Sequence, residues 1–294
     1  MINLNDNFKI INDGSRVLAL SKFRIPFDLY LLKGQRKENI LSFREHLITE
    51  IKTLNPKKNE ILFGRYGSTD TVNVFYDVEN VLFYNIGTAV FKDLVKFGIS
   101  FSSIEETEIK NILEQYGSEY SCIYEYSLVS DEDSREDNSL IAKWDAYDFC
   151  KFKGSKPTDY WKAIRNIDSK ISVFNSIDCN NGDTFSLDLT VFVPKNTDIN
   201  IATSMKPFLD GLICAFHGAE KMEHDFSYLI EKVDCDDNWL HNKNMNLLGN
   251  RQYLYKYREN IKWNPADDLC KKVRIILKTT DEPAWKLSGK VFKI

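Results

Sequence analysis

At 294 residues, with 43% hydrophobic content, 19 Phe, 14 Tyr and 5 Trp, the chain has ample material for a core and is excluded from the disordered class; its length allows one large globule or two joined ones. A formal net charge of -4 provides no global positive field, so a nucleic-acid partner would need a local basic groove. Six scattered cysteines without CxxC spacing, no leader pattern over residues 1–6, and apolar runs far below the roughly 20 residues that span a bilayer predict a soluble cytoplasmic protein with reduced thiols and no membrane partner.

Taken in chain order, residues 17–32 are a dense apolar stretch interrupted by Pro26. Proline cannot donate to a ladder, so an edge strand or bent strand pair is expected there. The basic run Lys33-Gly34-Gln35-Arg36-Lys37 follows. Over 38–54, Ile40, Phe43, Leu47, Ile51 and Leu54 step by three and four, predicting a helix with that face buried and closed by Asn55-Pro56. A short strand is expected at 61–66. Val72, Val74 and Tyr76 then alternate as a strand, Asp77-Val78-Glu79-Asn80 forms an acid-bearing loop, and Phe83, Ile86, Val90, Leu94 and Phe97 predict an amphipathic helix stopped by Gly98. Ser103 and Glu106 have capping-box spacing for a helix through Leu113. A strand is expected at 122–129, and the charge run 130–138 reads as a solvated linker.

The second half starts near Tyr160-Trp161, with a strand expected at 170–175. Asn180-Asn181-Gly182-Asp183 between strand-like runs signals a hairpin. Phe185, Leu187, Leu189, Val191 and Val193 alternate, a loop carries Asn196 and Asp198, and Met205, Phe208, Leu212 and Phe216 predict a helix ending at Gly218. Pro207 belongs in a first helical turn, so Thr203 or Ser204 is the expected N-cap and 198–202 the expected loop. A helix over 220–233, alternation of Val273, Ile275 and Leu277, and a last strand beyond Pro283 and Gly289 complete the chain. The strand-loop-helix pattern thus occurs twice. It predicts an α+β fold of two similar halves, about 15–129 and 140–294, with mixed sheets packed against helices and extra C-terminal strands in the second.

Two carboxylates spaced i, i+2 on an extended segment project to one side, so Asp77 and Glu79, beside Asn80, can offer hard oxygen ligands to Mg²⁺. The same residues could instead cap the following helix. Lys33, Arg36, Lys37, Lys57, Lys58 and Arg65 gather in the first seventy positions, a patch that could hold a phosphate backbone or simply be a solvated surface. Cys214 and His217 are spaced i, i+3, but zinc requires four converging ligands, and a buried cysteine with a helix-end histidine explains both. There is no GxxxxGK, GxGxxG, GxSxG or HExxH, which removes the usual support for nucleotide-triphosphatase, dinucleotide-oxidoreductase, serine-hydrolase and zincin activities.

The order Phe23-Arg24-Ile25-Pro26, Lys33-Gly34-Gln35-Arg36, a helix around Phe43, and Asp77-Val78-Glu79-Asn80 resembles the RusA-type Holliday-junction resolvases. In that family an F-x-I/V-P strand precedes a K-G-x-x-R-like patch, a helix, a strand, and a D-x-D-N loop entering a K-x-x-x-D helix. Lys206-Pro207-Phe208-Leu209-Asp210 is similar to that helix start. The family's enzymes are homodimers of short subunits, so the resemblance implies a fused pseudo-dimer acting as a Mg²⁺-dependent endonuclease on branched DNA. It implies Asp77, Glu79 and Asn80 as the catalytic set, Asp77, Glu79, Asp198 and Asp210 as metal ligands, and Lys33, Arg36, Lys37 and Lys206 on the nucleic acid. Phe83 and Gly87 stand where the early copy should carry its lysine and last aspartate, and Ala202 and Thr203 replace the aspartate and asparagine of the late copy. A second expectation therefore stands beside the first: a non-catalytic binding module on a degenerate duplicated scaffold, whose acidic loop or basic patch contacts a protein partner.

Overall fold

The computed structural model describes residues 2–28, 31–69, 77–131, 139–218, 231 and 246–294. They divide into two compact units, Met1–Asp133 with Asn200–Thr203, and Ser134–Ile199 with Ser204–Ile294. Each unit combines a mixed sheet with helices, which makes the fold α+β.

The first unit runs β1 (Ile2–Asn5), β2 (Phe8–Asn12), β3 (Arg16–Ser21), α1 (Gly34–Ile51), β4 (Glu60–Ser68), β5 (Gly98–Ser103), α2 (Glu106–Tyr116) and β6 (Cys122–Ser130). Its strands lie in the order β1-β2-β3-β6-β4-β5, with β4 and β5 parallel and the remaining pairs antiparallel. The stretch 17–32, expected as an edge strand or a bent strand pair, instead carries one interior strand among its described residues. β3 lies between β2 and β6, Val17 through Ser21 are all buried, and Pro26 falls beyond the strand, where it cannot interrupt the ladder. The preceding β1 and β2, which the apolar pattern did not signal, cover that side.

Helix α1 begins four residues before the expected start and buries Ile40, Phe43, Leu47 and Ile51, as its periodicity predicts. Phe43 meets Phe8 and Tyr124, with ring centres 5.3 and 5.5 Å apart. Ile109, Ile112 and Leu113 of α2 instead cluster with Leu18, Leu20 and Ile123. Successive residues of a strand face opposite ways, so Ile123 and Tyr124 place α2 and α1 on opposite faces of the sheet. The capping box does not form: Ser103 stays in β5 opposite Tyr66, and the N-cap of α2 is Glu105.

The amphipathic helix expected over 83–97 is broken. Asn80–Tyr84 forms a single π-helical turn and Thr88–Phe91 a 3₁₀ turn. Between them Gly87 has φ 110°, outside helical space. Arg44 of α1 closes the first turn, donating from Nε to the Asn85 carbonyl at 3.2 Å and from Nη2 to the Ile86 carbonyl at 2.6 Å. Phe83, Ile86 and Leu94 are still buried, because a step of three or four residues keeps one face inward even when the turns change type; Val90 is only partly covered. Gly98 opens β5. The strand predicted at 72–76 lies outside the described residues, as does the charge run over 132–138.

The second unit runs β7 (Leu140–Phe149), α3 (Pro157–Arg165), β8 (Ser172–Val173), β9 (Phe185–Pro194), α4 (Ile201–Ala215, its first turn grouped with the first unit), β10 (Leu254–Tyr257), β11 (Asn260–Trp263), β12 (Cys270–Thr280) and β13 (Trp285–Lys293). Its sheet order is β12-β9-β13-β7-β8, and β10 pairs with β11 alone. β9 and β12 are parallel; the other neighbours are antiparallel. Phe185, Leu187, Leu189, Val191 and Val193 are buried as their alternation predicts. The hairpin expected around 180–183 is absent among the described residues: β8 pairs with β7, since β12 and β13 already occupy both sides of β9. Residues 179–181 make a 3₁₀ turn capped by Asp178, which accepts from the Asn180 N–H at 3.0 Å. Gly289 in β13 lies so close to the Trp144 ring that any Cβ would collide with it.

Helix α4 starts at Ile201, so Pro207 lies inside it rather than in its first turn, and residues 201–202 are helix, not loop. The helix predicted at 220–233 lies outside the described residues apart from Glu231. No helix among the described residues is long and apolar enough to cross a membrane.

Four strands of each unit share a connectivity. β3, β6, β4 and β5 have the same order and relative directions as β7, β13, β9 and β12. In each, the first strand lies beside the last, followed by the second and third.

Candidate functional site

In the first unit the segment expected as an extended acid-bearing loop is already helical at residues 78–79 and leads directly into the π-helical turn. The Asp77 carbonyl accepts the N–H groups of Asn80 and Val81 at 3.0 and 3.3 Å, and its carboxylate accepts from Asn80 Nδ2 at 2.6 Å. Asp77 is partly buried, while Glu79 is only 4% exposed. Carboxylate oxygens of Asp77 and Glu79 lie within 4.8 Å of each other.

This turn is fixed from several sides. Tyr126 donates its hydroxyl to the Leu82 carbonyl at 2.6 Å, and Asn85 Nδ2 donates to the Ile25 carbonyl at 2.8 Å. The Ile25 N–H in turn donates to the Tyr124 hydroxyl at 2.9 Å. The segment Phe23-Arg24-Ile25-Pro26 is therefore tied to the turn that follows Asp77-Val78-Glu79-Asn80, which two stretches far apart in sequence could not reveal.

Lys33 is the N-cap of α1, and Arg36 and Lys37 follow in a first turn without any acidic residue. These cations stand at the positive end of the helix dipole, where an anion is favoured and a cation is not. Arg65 separates from this patch. Its Nη1 reaches Glu108 at 2.7 Å and its Nη2 reaches Glu125 at 2.6 Å, and Glu125 also pairs with Arg16 at 2.6 Å. Arg65 is thus committed to carboxylates rather than to a phosphate. Lys57 and Lys58 are exposed.

In the second unit, Asp198 is exposed in the loop before α4. Lys206 pairs along the helix with Asp210 at 3.2 Å and also with Asp267 at 2.7 Å, all three side chains being largely buried. Sequence reasoning missed Asp267. Its only signal was the Asp267-Asp268 pair ahead of an alternating strand.

Cys214 and His217 belong to a buried cluster. Arg165 is 4% exposed, donates from Nη2 to the His217 carbonyl at 2.8 Å and lies over the Trp161 ring. His217 is fully buried with Nδ1 3.1 Å from the Gly249 carbonyl. Burial pushes its pKa down to about 4; the Gly249 contact opposes the shift, while Arg251 and Arg165 add to it. Burial likewise pushes the Cys214 thiol well up. A neutral core histidine and an inert thiol account for both residues, and no cysteine–histidine ligand cluster forms among the described residues.

No family model matches the chain, and no curated protein matches it. Among solved structures, one of cyanuric acid hydrolase aligns with 98% of this chain and 68% of its own, at 9% identity and a TM-score of 0.18, a likeness too slight to bear on fold or function.

Proposed function

We propose that the protein is a divalent-metal-dependent endonuclease acting on branched DNA, built from two α+β halves that arose by duplication. The observation that carries the reading is the approach of the Asp77 and Glu79 carboxylates to within 4.8 Å, with Glu79 nearly inaccessible to water. Two carboxylates this close can share one cation. An all-oxygen donor set with a neighbouring amide suits a hard ion such as Mg²⁺ rather than a thiophilic one. When bound, Mg²⁺ supplies Lewis acidity toward a phosphoryl oxygen and a more acidic water.

The chain's own residues have distinct tasks in this reading. Asn80 orients the Asp77 carboxylate through their 2.6 Å hydrogen bond. Lys33, Arg36 and Lys37 hold backbone phosphate at the start of α1, where the dipole adds to their charge. Asp198, Asp210 and Lys206 are the second-half counterparts, and the matching strand order of the units supports their descent from one ancestral half.

A different observation favours a second reading, a non-catalytic module that binds DNA or a protein partner. Lys206 is already paired with Asp210 and Asp267, so the cation of the K-x-x-x-D segment is engaged by carboxylates.

The test is incubation of purified protein with duplex and branched DNA in Mg²⁺ or Mn²⁺. Cleavage that is lost in Asp77→Asn and in Glu79→Gln, with melting temperature retained, is the expected result, because each amide removes ligand charge at little change of shape. Binding without cleavage would favour the second reading. A wild-type protein that neither binds nor cuts DNA would overturn the endonuclease.

A further inference from the structure

We propose that the β10–β11 ribbon is a single-strand contact, on which an unpaired DNA base stacks against Tyr257 while Arg258 and Lys262 hold the flanking phosphates. The proposal rests on the DNA reading above and extends it to a part of the chain which that reading did not use.

The ribbon is firmly rooted and exposed at its tip. At the root, Tyr253 and Leu254 are fully buried, the Asn264 N–H donates to the Tyr253 carbonyl at 2.8 Å, and the Trp263 ring centre lies 6.4 Å from that of buried Trp161. The ribbon joins no larger sheet among the described residues, and residues 256–260 are all exposed. A two-stranded ribbon has little stability of its own, so its shape is held by this root.

Register then decides what the ribbon presents. Tyr255 lies opposite Lys262, and Tyr257 lies opposite Asn260. Alternation along a strand sets Tyr255 and Tyr257 on one face, and cross-strand pairing adds Lys262 and Asn260 to it. Tyr257 is 57% exposed, and the Arg258 guanidinium sits 5.5 Å from its ring centre. Arg258 takes φ 56° at the turn, a left-handed conformation that glycine or asparagine adopts more readily.

A single exposed tyrosine is ordinary on a protein surface. Here it stands on a narrow ribbon beside Arg258 and Lys262, with one acid, Glu259, in a protein whose net charge is negative. That conjunction complements a polyanion that also offers flat apolar faces. Unpaired bases supply such faces and a closed duplex does not, which selects single-stranded DNA. At a branch point such bases occur beside the duplex arms.

The full chain and its variants can be tested with fluorescently labelled oligo-dT and a blunt duplex by anisotropy at several salt concentrations. Tyr257→Ala is expected to weaken oligo-dT binding about tenfold, Tyr257→Phe to retain it, and the double change Arg258→Ala, Lys262→Ala to flatten its salt dependence. Duplex binding and melting temperature should be unchanged in all of them. Wild-type protein that binds DNA while Tyr257→Ala binds oligo-dT equally well would overturn the ribbon and leave the nuclease reading standing. Tyr257-dependent binding in a protein that never cleaves would keep the ribbon and remove the nuclease.

Discussion

Arg65 of β4 and Glu125 of β6 face each other across the antiparallel ladder, with Nη2 2.6 Å from the carboxylate. Glu125 is 5% exposed and shares its other oxygen with Arg16 at 2.6 Å, while Arg65 also reaches Glu108. One buried anion therefore joins two cations and links β3, β4 and β6.

Removing that anion should cost more than the pairing itself contributes, because both guanidinium groups remain partly buried without it. Glu125→Ala is expected to lower stability by about 3 kcal/mol, read as a lower urea midpoint at unchanged slope. Glu125→Asp keeps the charge and should lose less. An unchanged midpoint in Glu125→Ala would show that water replaces the carboxylate at no cost.

Pro207 leads to a second expectation. It has no N–H for the Thr203 carbonyl one turn earlier, and that carbonyl accepts instead from the Tyr84 hydroxyl at 3.1 Å, both residues belonging to the first unit. Tyr84→Phe should cost about 1 kcal/mol. Adding Pro207→Ala restores an N–H donor within α4, so the double variant should recover part of the loss in a double-mutant cycle. Strictly additive effects would disprove the compensation.

The third expectation concerns acid. His217 has a folded pKa of about 4 against an ordinary 6.5, chiefly because it is buried. Between those values the unfolded chain binds a proton that the folded chain does not. Stability should therefore fall as pH drops from about 6.5 to about 4, by an amount on the order of 3 kcal/mol, and His217 should contribute no further slope below that. Thermal melts across this range should show a shallower pH dependence in His217→Gln than in wild type; equal slopes would assign the proton uptake to other groups.

Local periodicity made much of the skeleton legible. The buried faces of α1 and β9, and the positions of β4 and β6, follow from apolar spacing, because the residues that alternate or step by three and four are those that meet the core. The i, i+2 spacing of Asp77 and Glu79 projects two carboxylates to one side only on extended backbone, whereas residues 78–79 are helical, so their proximity comes from the turn and not from strand alternation. Other features depended on partners remote in sequence. That β3 is interior, that β8 pairs with β7, that Arg65 serves Glu125 rather than a phosphate patch, and that Asp267 joins Lys206 all follow from which strands and helices lie side by side. Gly87 looked like one residue of a helix until Arg44 supplied the hydrogen bonds that end the turn before it. Pro207 could lie inside α4 because Tyr84 supplies the bond that the helix backbone cannot. The sequence by itself determined which faces are apolar and where charge gathers, since both are short-range properties of the chain. Tertiary structure alone decided what covers each face and which charges neutralise each other, since long-range packing selects the partner for every buried hydrogen-bonding and charged group.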